Sequence, residues 1–302
     1  MGFKMMRMKK LTVLSIYTCL TLTSSVLMAQ SSSSIQLPTA PEALGTSAVS
    51  GTSTTQINPI KKEEKPLTIE LGIEMGEKVS KEEFTPKKNT LGILIAPAYK
   101  INETFKASGK ITINQDNYAQ HETTASDGTL SLAINGFKLS EHLKTTHSLG
   151  TIIPVSEKSV KTDRLQGSIS ARNGIKYSSD YFDLSYKLGL TRFFHEFKQN
   201  AEGSPNIQYR LSQLIELKAP IFTEKLAITT SLDYRIGRTY RDFERFGFIY
   251  DADLNYDLTD KLSANIGTTN DGSALKYNGV DSNIQAYNEN TSVYRLGITY
   301  TY

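Results

Sequence analysis

The segment Ser292 to Tyr302 alternates strictly: Tyr294, Leu296, Ile298, Tyr300 and Tyr302 fall on one face of an extended strand, and Val293, Arg295, Gly297, Thr299 and Thr301 on the other. Strand side chains point to opposite faces with period two, so this stretch has one apolar, aromatic-ended face and one small or polar face carrying a charge. A lipid-facing strand of a membrane barrel needs that division. A half-buried soluble strand also alternates, so the pattern alone fits both.

Its position is more specific. The segment resembles the C-terminal strand of Gram-negative outer-membrane β-barrel proteins, which ends in an aromatic residue read by the insertion machinery. Tyr294, Leu296, Ile298, Tyr300 and Tyr302 match that signal. The resemblance covers roughly 235 residues and identifies a porin-like class, with no narrower family. It implies an integral place in the outer membrane, with membrane lipid, lipopolysaccharide and the barrel-assembly machinery as partners.

The front of the chain fits export. Lys4, Arg7, Lys9 and Lys10 precede the apolar run Leu11 to Met28, with a cleavage point after Ala29, so residues 1–29 read as a signal peptide. Hydroxyl residues such as Thr18, Thr21 and Ser24 make the run weak as a permanent membrane helix. Cys19, the only cysteine, lies inside this leader, which leaves no thiol for disulfides, metal or nucleophilic chemistry after cleavage. The full chain has 34 basic and 31 acidic residues; losing four bases leaves 30 against 31 and no nucleic-acid footprint. Residues 30–66 are rich in Ser, Thr, Pro, Ala and Gly and read as a flexible periplasmic linker, with a lumen plug or a periplasmic tether as alternatives.

From Leu67 the chain resolves into twelve alternating segments, most near the roughly 9 to 11 residues a tilted strand needs to cross a bilayer. The fourth switches parity between Ile134 and Phe137, which predicts a bulge. The fifth, Leu143 to Val155, is poorly phased, and Gln213 on the eighth falls on the apolar face. Connections after even-numbered strands are short, such as Ile101 to Thr104 and Thr259 to Asp260. Those after odd-numbered strands are mostly long, such as Gln115 to Gly128, Gly237 to Arg245 and Asn270 to Asn290. Short periplasmic turns and long outer loops are the asymmetry of an outer-membrane barrel. Aromatic residues mark two rims, Tyr99, Phe105, Phe182, Tyr256, Tyr300 and Tyr302 at one and Phe194, Tyr209, Phe246, Phe248 and Tyr294 at the other. A β-sandwich does not predict either feature. The expected fold is all-β, a single antiparallel up-and-down transmembrane barrel of twelve strands over residues 67–302, the last strand closing on the first.

The inward faces carry the remaining information. By parity they hold eight acids, Glu70, Glu74, Asp183, Glu216, Asp233, Asp251, Asp253 and Asp257, and nine bases, Lys100, Lys106, Lys110, Arg172, Lys187, Arg210, Lys218, Arg235 and Arg295. Such a mixed-charge wall suits a narrow porin-like channel for small solutes or ions, with an acidic stripe on strand ten facing Lys106 and Lys110 across the lumen. Strand closure gives Arg295 a neighbour in Glu70 or Glu74. A sealed barrel presenting its outer loops is the alternative, and the charged aromatic loop Tyr240 to Arg245 suits recognition. An outer-membrane hydrolase fits worse. His147 and Ser148 are strand neighbours on opposite faces, His121 and His195 fall in outer loops, and no nucleophile, metal or cofactor motif is present.

Overall fold

The computed structural model describes residues 66–78, 88–117 and 122–302. The expected leader and nearly all of the linker lie outside them, as does His121. Thirteen strands follow: β1 Leu67–Lys78, β2 Lys88–Lys100, β3 Phe105–Asp116, β4 Thr123–Ala125, β5 Gly128–Lys138, β6 Leu143–Ile153, β7 Leu165–Ser178, β8 Asp183–His195, β9 Ile207–Ile221, β10 Thr223–Thr239, β11 Glu244–Asp257, β12 Leu262–Ser273 and β13 Val293–Thr301. Each long strand pairs antiparallel with its sequence neighbour, and β1 pairs with β13, so twelve staves close into a barrel. The thirteenth strand, β4, extends the β5 stave along β3, where Thr123 to Ala125 pair with Ile113 to Gln115.

Closure follows the expected register. Leu71 lies opposite Tyr300 and Ile73 opposite Ile298, and Tyr302 exchanges two main-chain hydrogen bonds with Ile69. Among the described residues each of the twelve staves is paired on both sides, the condition for crossing hydrocarbon with strands. The outer face is apolar around the ring. Ile73, Leu190, Ile266 and Leu296 are exposed at 57, 56, 58 and 57 %, an inversion of the soluble pattern that only an apolar surrounding stabilises.

Short polar side chains shape the turns on one rim. Asn102 Oδ1 accepts from the Thr104 and Phe105 amides, Ser179 Oγ from Tyr181 and Phe182, and Thr259 Oγ1 from Lys261 and Leu262. These local bonds fix two- to four-residue reversals without long loops. The expected bulge sits between Asn135 and Lys138, where the Phe137 amide donates to Thr145 Oγ1 at 2.9 Å. Only glycine fits at Gly136, since a Cβ there would lie 1.9 Å from the Thr145 carbonyl oxygen. The poorly phased fifth segment becomes β6 with Leu149 and Ile153 outward, 50 and 44 % exposed. Gln213 keeps its outward place, and its Oε1 accepts from the Tyr186 hydroxyl at 3.4 Å.

The opposite rim departs from expectation in several places. Gly237 to Arg245 is not a loop: β10 runs on to Thr239 and β11 begins at Glu244, leaving a four-residue turn held by Thr239. Tyr240 therefore turns back into the barrel end, its hydroxyl donating to the Phe193 carbonyl at 3.2 Å and its ring edge-on to His195. His195 closes β8 and is not a loop residue. Asp127 clasps the β6–β7 connection, accepting from the Val155 and Ser156 amides and the Ser159 hydroxyl beside the π-helical turn Lys158–Thr162. Residues 274–292 fold over outward-facing Asn270, whose amide donates to the Gln285 carbonyl at 2.7 Å. Phe248, expected at the outer aromatic rim, is only 4 % exposed.

Candidate functional site

The lumen wall is built from the faces opposite the apolar band, and its charges fall into two groups. The first joins β1, β3, β11 and β13. Arg295 Nη2 donates to Asp251 Oδ1 at 3.1 Å and to Asp253 Oδ1 and Oδ2 at 3.0 and 3.2 Å. The Arg295 side chain is 4 % exposed and those of Asp251 and Asp253 14 and 7 %. Asp253 and Arg295 sit two strands apart, with Gly267 of β12 between them in register with both. A Cβ on Gly267 would lie 1.9 Å from Asp253 Oδ1, so this glycine is the gap through which the pair meets.

Two expected neighbourhoods take a more specific form here. Arg295 bonds to the β11 acids, while Glu74 is only within electrostatic reach of it. The acidic stripe is bonded to Arg295, and Lys110, whose main opposite charges are Glu70 and Glu74, also lies within electrostatic reach of Asp251. The reason is lateral. Parity assigns a face, whereas a bond across an intervening strand needs a residue small enough to let two side chains meet.

The second group lines β7 to β10. Arg235 bonds to Asp233 on its own strand, Nη2 to Oδ2 at 2.7 Å, and Lys187 reaches Glu216 across the β8–β9 ladder at 3.5 Å. Lys176 pairs with Asp183 at 2.7 Å nearer the short-turn rim. Arg210 stacks on Phe193, its Cζ 4.8 Å from the ring centroid. Arg172 lies on the inward face of β7, its stem beside Gly189. Among the described residues neither Arg172 nor Arg210 has a carboxylate at bonding distance. Arg245, which the sequence reading placed in a loop, joins Arg210 and Arg235 around a small recess opened by Gly237 and Gly247.

The remaining wall charges stay on the faces that parity assigned. Lys106 is exposed near the short-turn rim, Lys100 pairs with Glu103 at 3.2 Å, and Lys218 and Asp257 lie within electrostatic reach of one another. The inward face thus has ion pairs on both sides and, among the described residues, a cationic excess on β7 to β9. Among the described residues no serine hydroxyl stands at bonding distance of a histidine on the inward face. His147 points outward and bonds Asn173 at 2.8 Å, whereas Ser148 faces the lumen. Among the described residues no three His, Asp or Glu side chains converge as a metal site needs.

No family model and no curated protein matches this chain. Solved structures do. An outer membrane channel from Pseudomonas putida F1 superposes with a TM-score of 0.52 at 8 % identity, covering 81 % of this chain and 99 % of that one. The NanC porin superposes with a TM-score of 0.50 at 10 % identity, covering 76 % of this chain and 98 % of its own. At such identities the likeness is one of fold, and it agrees with the ring closure and the exposed apolar band. The chain has the closed antiparallel β-barrel fold of outer-membrane channels and porins.

Proposed function

We propose that this protein is an outer-membrane pore that lets small solutes or ions pass along a mixed-charge lumen. Arg172 carries the reading. It lies midway along β7, faces inward and is exposed, without a carboxylate at bonding distance among the described residues. A guanidinium left unpaired in a dry, sealed interior costs several kcal/mol, and a water-filled lumen removes that cost. Twelve staves enclose more than the eight-stranded barrels that side chains fill, and less than the wide porins. The apolar band and the fold shared with outer-membrane channels support the location, with the short turns toward the periplasm and the long connections outside.

The test is single-channel recording in planar bilayers, with the full chain and with a form lacking residues 30 to 66. Discrete steps from both forms support an open pore, and steps only after the deletion support a pore plugged by that segment. No conductance above the empty bilayer in either form refutes the pore. Arg172→Glu combined with Arg210→Glu removes the cationic excess, and the reversal potential in a salt gradient shifts toward cation preference.

A further inference from the structure

On the outside of the barrel, at the long-loop rim, one arginine stands on the lipid-facing side. Arg192 shares the outward face of β8 with Leu188 and Leu190, and its partner across the β7 ladder is Ile169, 63 % exposed. On the other side its register continues through Tyr209 of β9 to Arg238 of β10. The height is informative. Phe182 marks the short-turn rim ten residues before Arg192, and a strand tilted by about 45° climbs roughly 2.3 Å per residue. That puts Arg192 about 23 Å above Phe182, close to the roughly 25 Å of an apolar band and so where hydrocarbon gives way to headgroups.

The side chain is held ready. Arg192 Cζ lies 5.2 Å from the Phe194 ring centroid and 5.7 Å from that of Tyr209, a two-ring clamp that fixes the guanidinium plane. No carboxylate lies at bonding distance among the described residues. Arg238 uses its Nε on Asp242 at 3.0 Å, which leaves its terminal nitrogens for another acceptor. Of the nearby acids, Glu196 and Asp242 belong to the connections beyond the strand ends, and Glu244 is the cross-strand partner of Arg238, two strands from Arg192's neighbour Tyr209.

We propose that Arg192, clamped by Phe194 and Tyr209 and assisted by Arg238, binds the phosphorylated headgroup of an outer-leaflet lipid. Guanidinium meets phosphate through paired, charge-assisted hydrogen bonds, while Tyr209, level with it, and Phe194, two residues nearer the long-loop rim, hold it at the headgroup boundary. Arg192 and Arg238 are two strands apart, about 10 Å between Cα atoms, a span that two long side chains close around one phosphate group. The inference rests on the barrel's place in the membrane and is independent of whether the lumen conducts.

The experiment uses the full-length barrel in phosphatidylcholine nanodiscs doped with lipid A or with its dephosphorylated form, with retained lipid counted by native mass spectrometry. The wild type retains lipid A in preference to the dephosphorylated form, and Arg192→Gln lowers that retention about tenfold. Arg192→Lys, which keeps the charge but loses the fork and the stack, falls between them. Heat-modifiability on gels identifies variants that remain folded barrels. Equal retention of both lipids by the wild type, or unchanged retention in folded Arg192→Gln, overturns the site. Displacement of lipid A by inorganic phosphate at equal concentration also overturns it, because the site then takes a free anion.

Discussion

Gly267→Ala tests the claim that a missing side chain on β12 lets Arg295 reach Asp253. The new Cβ would fall 1.9 Å from Asp253 Oδ1 and 2.7 Å from the Ala252 carbonyl oxygen, against the 3.0 Å below which real Cβ contacts essentially never occur. The carboxylate is the movable partner and must retreat by at least about 1 Å. Arg295 then loses the bonds at 3.0 and 3.2 Å and keeps that to Asp251 at 3.1 Å, while remaining in a 4 % exposed position. Breaking a buried ion pair outright costs about 3 to 5 kcal/mol, so losing one of two acids costs about 2 to 3. The folded population relative to unfolded then falls roughly 30- to 150-fold. Equilibrium unfolding of the reconstituted barrel in guanidinium measures this as a lower midpoint at unchanged slope. Repeating the substitution on an Asp253→Ala background separates the causes, since with no carboxylate to displace the penalty drops below about 1 kcal/mol. An equal penalty on both backgrounds would refute the reasoning and place the cost in the backbone contact with Ala252.

Asp127→Ala removes the acceptor for two amides and a hydroxyl, and trypsin then cleaves at Lys158, Lys161 or Arg164 faster, while the barrel's global midpoint moves by less than about 1 kcal/mol. Unchanged cleavage means the clasp does not order that connection. Phe222 holds a positive φ of 58° in the β9–β10 turn and is 99 % exposed, so Phe222→Gly relieves strain and stabilises the barrel by about 1 kcal/mol in the same unfolding assay. A loss of stability instead shows that the ring anchors the turn. Burial lifts the Asp163 carboxyl above its ordinary range, with Lys158 opposing in part. Its folded form therefore holds a proton more tightly than the unfolded one. Local stability is greatest below the ordinary carboxylate pKa and declines as pH rises through the raised value. Asp163→Asn flattens that dependence, read as tryptic cleavage at Arg164 normalised to an unfolded peptide at each pH.

Much of the architecture follows from period-two alternation alone. Each stave, the bulge between Asn135 and Lys138 and the closure of Ser292–Tyr302 onto β1 are set by which residues are apolar at i and i+2. The short turns were legible too, because Asn102, Ser179 and Thr259 act on amides two or three residues away. Relations across the sheet were not. That Arg295 passes Gly267 to reach Asp253, that among the described residues Arg172 and Arg210 have no carboxylate at bonding distance while Arg235 finds Asp233, and that Arg192 is clamped between two rings all depend on which residues the register sets side by side. The long-loop rim was misread for a related reason. Tyr240 and Phe248 looked like surface aromatics, but one hydrogen-bonds back to β8 and the other is buried, contacts with partners tens of residues away. The sequence by itself determined the face each strand residue occupies, because alternation is a property of consecutive residues. Only the tertiary structure decided which charges meet, because that depends on strand register and on small residues several staves apart in the chain.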